Sequence, residues 1–170
     1  MKLIGNKNNK DLYDNLLGNL IPNNIEMYAE PFGGEFGLYE IMTTKPSSAI
    51  YNDINIELYQ RAKEKYKKNS LIYCLNQDYK DIIHYFDSDN TFFFVDPPYL
   101  KKEKYYKNHT FLTEENHIEL SEILKNIKGR FLLSYQDRPL MRELYIDFNL
   151  YKYTGNNYIS KPEIAITNYV

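Results

Sequence analysis

The 170-residue chain has a single cysteine, no tryptophan and no long apolar run, and its 21 basic and 23 acidic side chains nearly cancel. Each scarcity excludes a class of protein. Cys74 has no partner within the chain, which excludes a disulfide framework and a multi-cysteine zinc site and agrees with a reducing compartment. The longest strongly apolar stretch, Phe92 to Val95, is far too short to cross a bilayer, and the opening Met-Lys-Leu-Ile-Gly-Asn-Lys lacks a signal peptide's apolar region. The expectation is an intracellular, cytoplasmic protein with no membrane partner. With a formal charge of −2 there is no overall basic field, so any binding to nucleic acid must rest on local patches and on stacking. A chain of this length buries roughly 70% of its unfolded surface, so one core holds it without a covalent or metal staple.

Two basic runs are present. Arg61 to Lys68 carries five positive charges against one negative and reads as a solvated helix face; Lys101 to Lys107 carries four against one and lies beside the most informative motif in the chain. The histidines, His84, His109 and His117, are scattered and read as surface or helix residues rather than as ligands or bases.

Periodicity alternates between β-type and helical runs from end to end. Tyr13, Leu16, Leu17 and Leu20 keep helical spacing, with Asn8 or Asn9 as cap and Pro22 beyond the end. Glu26 to Glu30 reads as a strand feeding a glycine turn and a helix through about Met42. Ala49 to Tyr51 is a second strand, Asn55 caps a helix to about Lys68, Leu71 to Leu75 is a third strand, and Tyr79 to Phe86 is a short helix. Thr91-Phe92-Phe93-Phe94-Val95 is what a central parallel strand covered on both faces requires. Thr113, Glu114 and Glu115 start a helix with buried face Leu120, Ile123, Leu124 and Ile127, ended by Gly129. Phe131 to Ser134 is a strand, Pro139 to Leu144 a helix, and Asn149 to Tyr153 and Glu163 to Tyr169 are closing strands joined at Gly155-Asn156-Asn157. Alternation of this kind implies an α/β fold, a mostly parallel sheet with helices on both faces and an antiparallel C-terminal hairpin.

In open α/β sheets ligands bind beyond the carboxyl ends of the strands. Glu30 to Gly37 places glycines at a helix start, where backbone can approach a ligand or merely turn. Asp53, about 20 residues beyond the glycines, can accept from ribose hydroxyls or cap a helix. Asp78 follows the third strand and can equally cap the helix after it. The phosphate-gripping G-x-x-x-x-G-K-[ST] loop is missing. Asp96-Pro97-Pro98-Tyr99 is more specific, arising by accident in on the order of one chain of this length in a thousand. Two prolines fix the backbone and remove two N–H donors, so that a carboxylate and local carbonyls face outward as acceptors, and the tyrosine supplies a stacking face. An amino-bearing planar base needs those groups.

With these residues in order, the chain resembles the Dam-type (alpha-group) adenine-specific DNA methyltransferases, S-adenosylmethionine-dependent enzymes, in a minimal form. Ile4-Gly5-Asn6-Lys7 looks like the family's amino-terminal element, Glu30-Pro31-Phe32-Gly33-Gly34 like its cofactor loop, Asn52-Asp53 like its ribose-binding acid, and Asp78 like the acid near the cofactor adenine. Asp96 to Tyr99 are similar to its catalytic motif; Thr113 to His117, Leu132 to Ser134 and Glu163 to Tyr169 also fit. The resemblance implies a Rossmann-like methyltransferase fold and methyl transfer from S-adenosylmethionine to adenine N6, leaving S-adenosylhomocysteine. It implies cofactor contacts from Lys7, Glu30, Pro31, Phe32, Gly33, Gly34, Asp53, Asp78 and Asp96, catalysis by Asp96, Pro97, Pro98 and Tyr99, and no metal. Lys101, Lys102, Lys104 and Tyr105, with Tyr99, are the expected substrate contacts. The expected partner is nucleic acid, above all DNA, and the location nucleoid-associated if the gene is bacterial or phage-borne.

Two departures stand out. The family's loop usually reads F-x-G-x-G, but Phe36 occupies the second glycine's place and Gly37 follows one residue late. Only 42 residues separate Asp53 from Asp96, and core elements use all of them, so residues 1–170 are expected to form one catalytic domain with no separate target-recognition domain. Specificity then lies in the loops Leu100 to Leu112 and Gly155 to Lys161, or comes from a second copy or partner subunit. RNA or single-stranded DNA as substrate, and a non-catalytic cofactor-binding subunit, are the alternative readings.

Overall fold

The computed structural model describes residues 16–100, 112–153 and 163–170. Their elements run α1 (Gly18–Leu20), β1 (Met27–Glu30), α2 (Gly37–Ile41), β2 (Ser48–Asn52), α3 (Ile56–Tyr66), β3 (Ile72–Leu75), α4 (Tyr79–Phe86), β4 (Thr91–Val95), α5 (Glu114–Lys125), β5 (Arg130–Gln136), α6 (Pro139–Leu144), β6 (Asn149–Tyr153) and β7 (Glu163–Thr167). Among the described residues seven strands form one sheet in the order β3-β2-β1-β4-β5-β7-β6. The first five are parallel and β7 runs antiparallel between β5 and β6. This is a Rossmann-like α/β architecture, with the mostly parallel sheet and antiparallel C-terminal hairpin that alternation implied. The hairpin's turn and the amino-terminal part of the first predicted helix, Tyr13 included, lie outside the described residues.

Successive side chains of a strand leave opposite faces, so each buried strand feeds two cores. Phe92 and Phe94 join Tyr28, Tyr51 and Leu132 under α2 and α3, while Phe93 and Val95 join Ala29, Phe131 and Leu133 under α4, α5 and α6. Helix starts follow their local chemistry. Asn55 accepts from the N–H groups of Glu57 and Leu58, and Thr113 and Asn116 form a reciprocal capping box at α5.

Three expectations need correction. Helix α5 stops at Lys125, before Gly129, whose bare Cα is needed for another reason: a Cβ there would lie 2.8 Å from the Thr91 carbonyl oxygen. Strand β5 extends to Gln136, two residues past the predicted end, because Tyr135 and Gln136 pair with Ile164 and Glu163. The buried stripe of α5 is not the expected one: Ile123 and Ile127 are only partly buried, while His117, a helix residue as expected, is buried in it.

Candidate active site

The parallel strands end along one edge of the sheet, as the pairings of Glu30 with Tyr51, Asn52 with Leu75 and Val95 with Leu133 show. That edge gathers Glu30, Asp53, Asp78 and Asp96.

Glu30 ends β1 and is buried; its carboxylate accepts from the Tyr28 hydroxyl at 2.5 Å and from the Tyr39 N–H at 3.4 Å. Burial pushes its pKa well above the usual carboxylate range, and the charge of nearby Asp96 pushes it further, against the lowering effect of the two hydrogen bonds. After Glu30 the chain turns through Pro31 and Phe32, whose ring packs 4.9 Å from Tyr79.

The glycines divide their work. A Cβ on Gly33 would sit 2.5 Å from the Tyr51 ring and 2.8 Å from the Asn52 carbonyl oxygen, so the missing side chain serves the closeness of the turn to β2. Gly34 has φ +51° and nothing within 4 Å of where its Cβ would lie. Its N–H donates to Asp53 Oδ2 at 2.9 Å and its carbonyl accepts from the Tyr51 hydroxyl at 2.9 Å.

The Phe36 departure has a structural answer. Phe36 adopts the left-handed conformation, φ 57° and ψ 38°, that a glycine would favour. Its ring is completely buried, stacked on Tyr39 at 4.6 Å and edge-on to Tyr51 at 5.4 Å and Tyr66 at 5.6 Å. Burial of the phenyl group outweighs a backbone penalty of about 1–2 kcal/mol.

Asp53 binds both sides of its turn, Gly34 N–H through Oδ2 and Asn55 N–H through Oδ1 at 2.8 Å. Burial raises its pKa, opposed by those two hydrogen bonds. Asp78 caps α4 by accepting from Lys80 N–H at 2.9 Å, so the capping alternative holds for one of its oxygens.

Asn52 joins the site with no role of its own expected beside Asp53. Buried at the end of β2, it donates through Nδ2 to the Pro31 and Gln77 carbonyls at 2.9 and 3.0 Å and accepts the Gln77 N–H at 2.9 Å. The loops after β1, β2 and β3 are thus tied by one amide. An asparagine closing an apolar strand run is the signal that could have exposed it.

Asp96 follows fully buried β4, and Tyr99 packs against Tyr135 with ring centroids 4.5 Å apart, its hydroxyl 3.4 Å from Glu163 Oε1. The Leu100 N–H donates to the Tyr135 hydroxyl at 2.6 Å, and that hydroxyl lies 3.2 Å from His117 Nε2. Burial pulls the His117 pKa down to about 4, against a hydrogen bond to the Pro98 carbonyl that favours the charged ring. The spacing of His117, Leu120 and Leu124 along one helix face is the sequence signal for its burial. Lys7, Lys101, Lys102, Lys104, Tyr105 and His109 lie outside the described residues.

Solved structures share this fold at low sequence identity. An rRNA methylase from Streptococcus thermophilus is 13% identical with a TM-score of 0.55, the match covering 94% of this chain and 92% of that one. Magnesium protoporphyrin IX methyltransferase from Synechocystis PCC 6803, solved with bound SAM, is 12% identical with a TM-score of 0.59, covering 93% and 76%. Precorrin 8w decarboxylase from Methanobacterium thermoautotrophicum is 13% identical with a TM-score of 0.56, covering 88% and 84%. Together they establish the architecture, and their different reactions leave the substrate to other observations. No curated protein matches the sequence. The family model of D12 class N6 adenine-specific DNA methyltransferases matches residues 67–157, just over half of the chain, a span that contains Asp96 to Tyr99 and the His117 and Tyr135 behind them. The chain belongs to that family, and its chemistry is methyl transfer from S-adenosylmethionine.

Proposed function

We propose that the protein is a DNA adenine N6-methyltransferase acting on an adenine flipped out of its helix, and that residues 1–170 work as one catalytic domain without a separate target-recognition domain. The observation that carries this reading is the family match across Asp96 to Tyr99, with Asp96 set after a central buried strand and beside Glu30.

Glu30, Pro31, Phe32, Gly33, Gly34, Asp53, Asp78 and Asp96 hold the cofactor in this proposal, with Lys7 as a further contact. The donor set fits it. Among the described residues no cation shifts Glu30 or Asp53, and a ligand carrying an ammonium and a sulfonium complements these carboxylates. Gly34 leaves open space at the turn, and each Asp53 oxygen retains a lone pair for a hydroxyl. Bound there, the cofactor supplies an electrophilic methyl group.

The chain's own residues supply position and field. The adenine N6 amine donates to the Asp96 carboxylate and the Pro97 carbonyl, which aims its lone pair and favours the positive charge that develops on nitrogen. Tyr99, whose ring centroid lies 4.5 Å from that of Tyr135, stacks on the base in this proposal, a contact worth roughly 1–3 kcal/mol. Lys101, Lys102, Lys104 and Tyr105 contact the nucleic-acid backbone and neighbouring bases.

One observation favours a second reading. The chain between Asp53 and Asp96 is taken up by α3, β3, α4 and β4, which leaves no inserted recognition segment there. Single-stranded DNA or RNA, whose bases are already unpaired, or a duplex presented with a second copy or partner subunit, suits so small a catalytic body.

The test is nucleoside mass spectrometry after incubating the protein and S-adenosylmethionine with duplex DNA, single-stranded DNA and RNA. N6-methyladenine in duplex DNA, abolished by Asp96→Ala while cofactor binding persists, is the expected result. Product only in single strands or RNA selects the second reading, and full activity of Asp96→Ala overturns the assignment of Asp96.

A further inference from the structure

A loop containing Pro97 and Pro98 lacks two of the N–H groups with which a turn ordinarily holds itself, so its shape must be imposed from outside. The structure supplies that support behind Tyr99. His117 Nε2 lies 3.2 Å from the Tyr135 hydroxyl, the same hydroxyl takes the Leu100 N–H at 2.6 Å, and the Pro98 backbone acts on the His117 ring in favour of its protonated form. Arg138 Nη2 lies 3.4 Å from the Leu100 carbonyl oxygen.

One direction of bonding satisfies these groups together. The Pro98 backbone acts on the ring as an acceptor would, which assigns the ring's proton to its other nitrogen, Nδ1. Nε2 of the neutral ring is then an acceptor, and it takes the Tyr135 hydroxyl proton. The Tyr135 oxygen keeps a lone pair for the Leu100 N–H. The ring of Tyr135, edge-on to His117 and packed on Tyr99, fixes the second of these groups in the same step. We propose that His117 and Tyr135 are positioning residues for methyl transfer, a directional brace from helix α5 through strand β5 that sets the pitch of the Asp96 to Tyr99 loop from behind. The inference rests on the reading of that loop as catalytic and deepens it. Neither residue acts on substrate; both keep the Asp96 carboxylate and the Tyr99 ring in register, where a displacement of about 1 Å costs on the order of 100-fold in rate.

Tyr135→Phe is the clean variant, because it removes the hydroxyl and keeps the ring. The expected result is a fall in kcat of at least about tenfold with the S-adenosylmethionine Kd and the melting midpoint little changed. His117→Asn, which retains an N–H near the Nδ1 position, should lose less activity than His117→Ala. Because the two residues act as one unit, the Tyr135→Phe/His117→Asn double variant should be no slower than the worse single variant. Wild-type kcat in Tyr135→Phe, or losses that multiply in the double variant, would overturn the proposal. Nitrogen-15 NMR of the histidine ring gives a readout independent of turnover: His117 should carry its proton on Nδ1, and the Leu100 amide should exchange faster in Tyr135→Phe. Protonation on Nε2 would sink the brace alone, whereas wild-type protein that methylates no nucleic acid would sink the catalytic reading of the loop and leave the tautomer to report on the brace.

Discussion

Replacing Phe36 by alanine and by glycine separates two opposing contributions at one position. The ring is completely buried among Tyr28, Tyr39, Tyr51 and Tyr66, and its removal in Phe36→Ala should cost about 3–5 kcal/mol. Alanine also inherits the left-handed backbone at φ 57°, which costs an L-residue about 1–2 kcal/mol and a glycine almost nothing. Against this, glycine loses about 0.4–1 kcal/mol more than alanine through the greater freedom of its unfolded chain. The position also precedes α2 as its cap, where glycine is preferred to alanine. Phe36→Gly should therefore be more stable than Phe36→Ala by about 0.5–1 kcal/mol, although it lacks one more carbon. In a domain of this size that difference raises the melting midpoint by roughly 1–4 °C, and urea unfolding resolves it as a shift in midpoint at constant slope. Lys63, inside exposed α3, serves as the control, since there alanine should exceed glycine by about 1 kcal/mol. A Phe36→Ala protein equal to or more stable than Phe36→Gly would refute the argument that backbone strain is held at this residue.

Gly33→Ala should be severely destabilising, by about 3 kcal/mol or more, because the new methyl group meets both the buried Tyr51 ring and a carbonyl oxygen of β2; a wild-type melting curve would show that the turn can give way. The depressed His117 pKa makes a prediction about acid. Unfolded chains bind a proton on this ring near pH 6.5 and the native protein only near pH 4, so its contribution is complete above pH 6.5 and is lost as pH falls toward 4, on the order of 3 kcal/mol in all. Glu30, whose pKa is raised, works in the opposite sense, gaining stability for the fold as acid protonates it. The comparison must therefore be a difference: the stability of wild type minus that of His117→Asn should shrink between pH 6.5 and 4, and a constant difference would contradict the assignment.

The fold was largely legible because its signals are local. The uninterrupted apolar run of β4, the cap at Asn55 and the hydroxyl at Thr113 each state their structure within a few residues, and all three occur as expected. The acids at the strand ends were legible for the same reason, since their place follows from where a strand stops. What escaped depends on approach between distant segments. Gly33 reads equally as a turn or as room for a ligand until β2 is seen against its Cα, and His117 reads as a surface or helix residue until Tyr135, 18 residues on, is found against its ring. Asn52 and Gln77 lie 25 residues apart, and no short window contains both. The extension of β5 to Gln136 depends on pairing with β7, which is still farther along the chain.

The central strand has a consequence for how the molecule comes apart. Because β4 sends alternate side chains into both cores, neither core can open without exposing its aromatic rings, and the two layers should melt as one cooperative unit. The loop bearing Asp96 therefore grows from the segment that is last to exchange its amide protons, while β3 and β6, at the margins of the sheet, can fray without disturbing it. Breathing at the rim and constancy at the Asp96 loop can then coexist in one sheet.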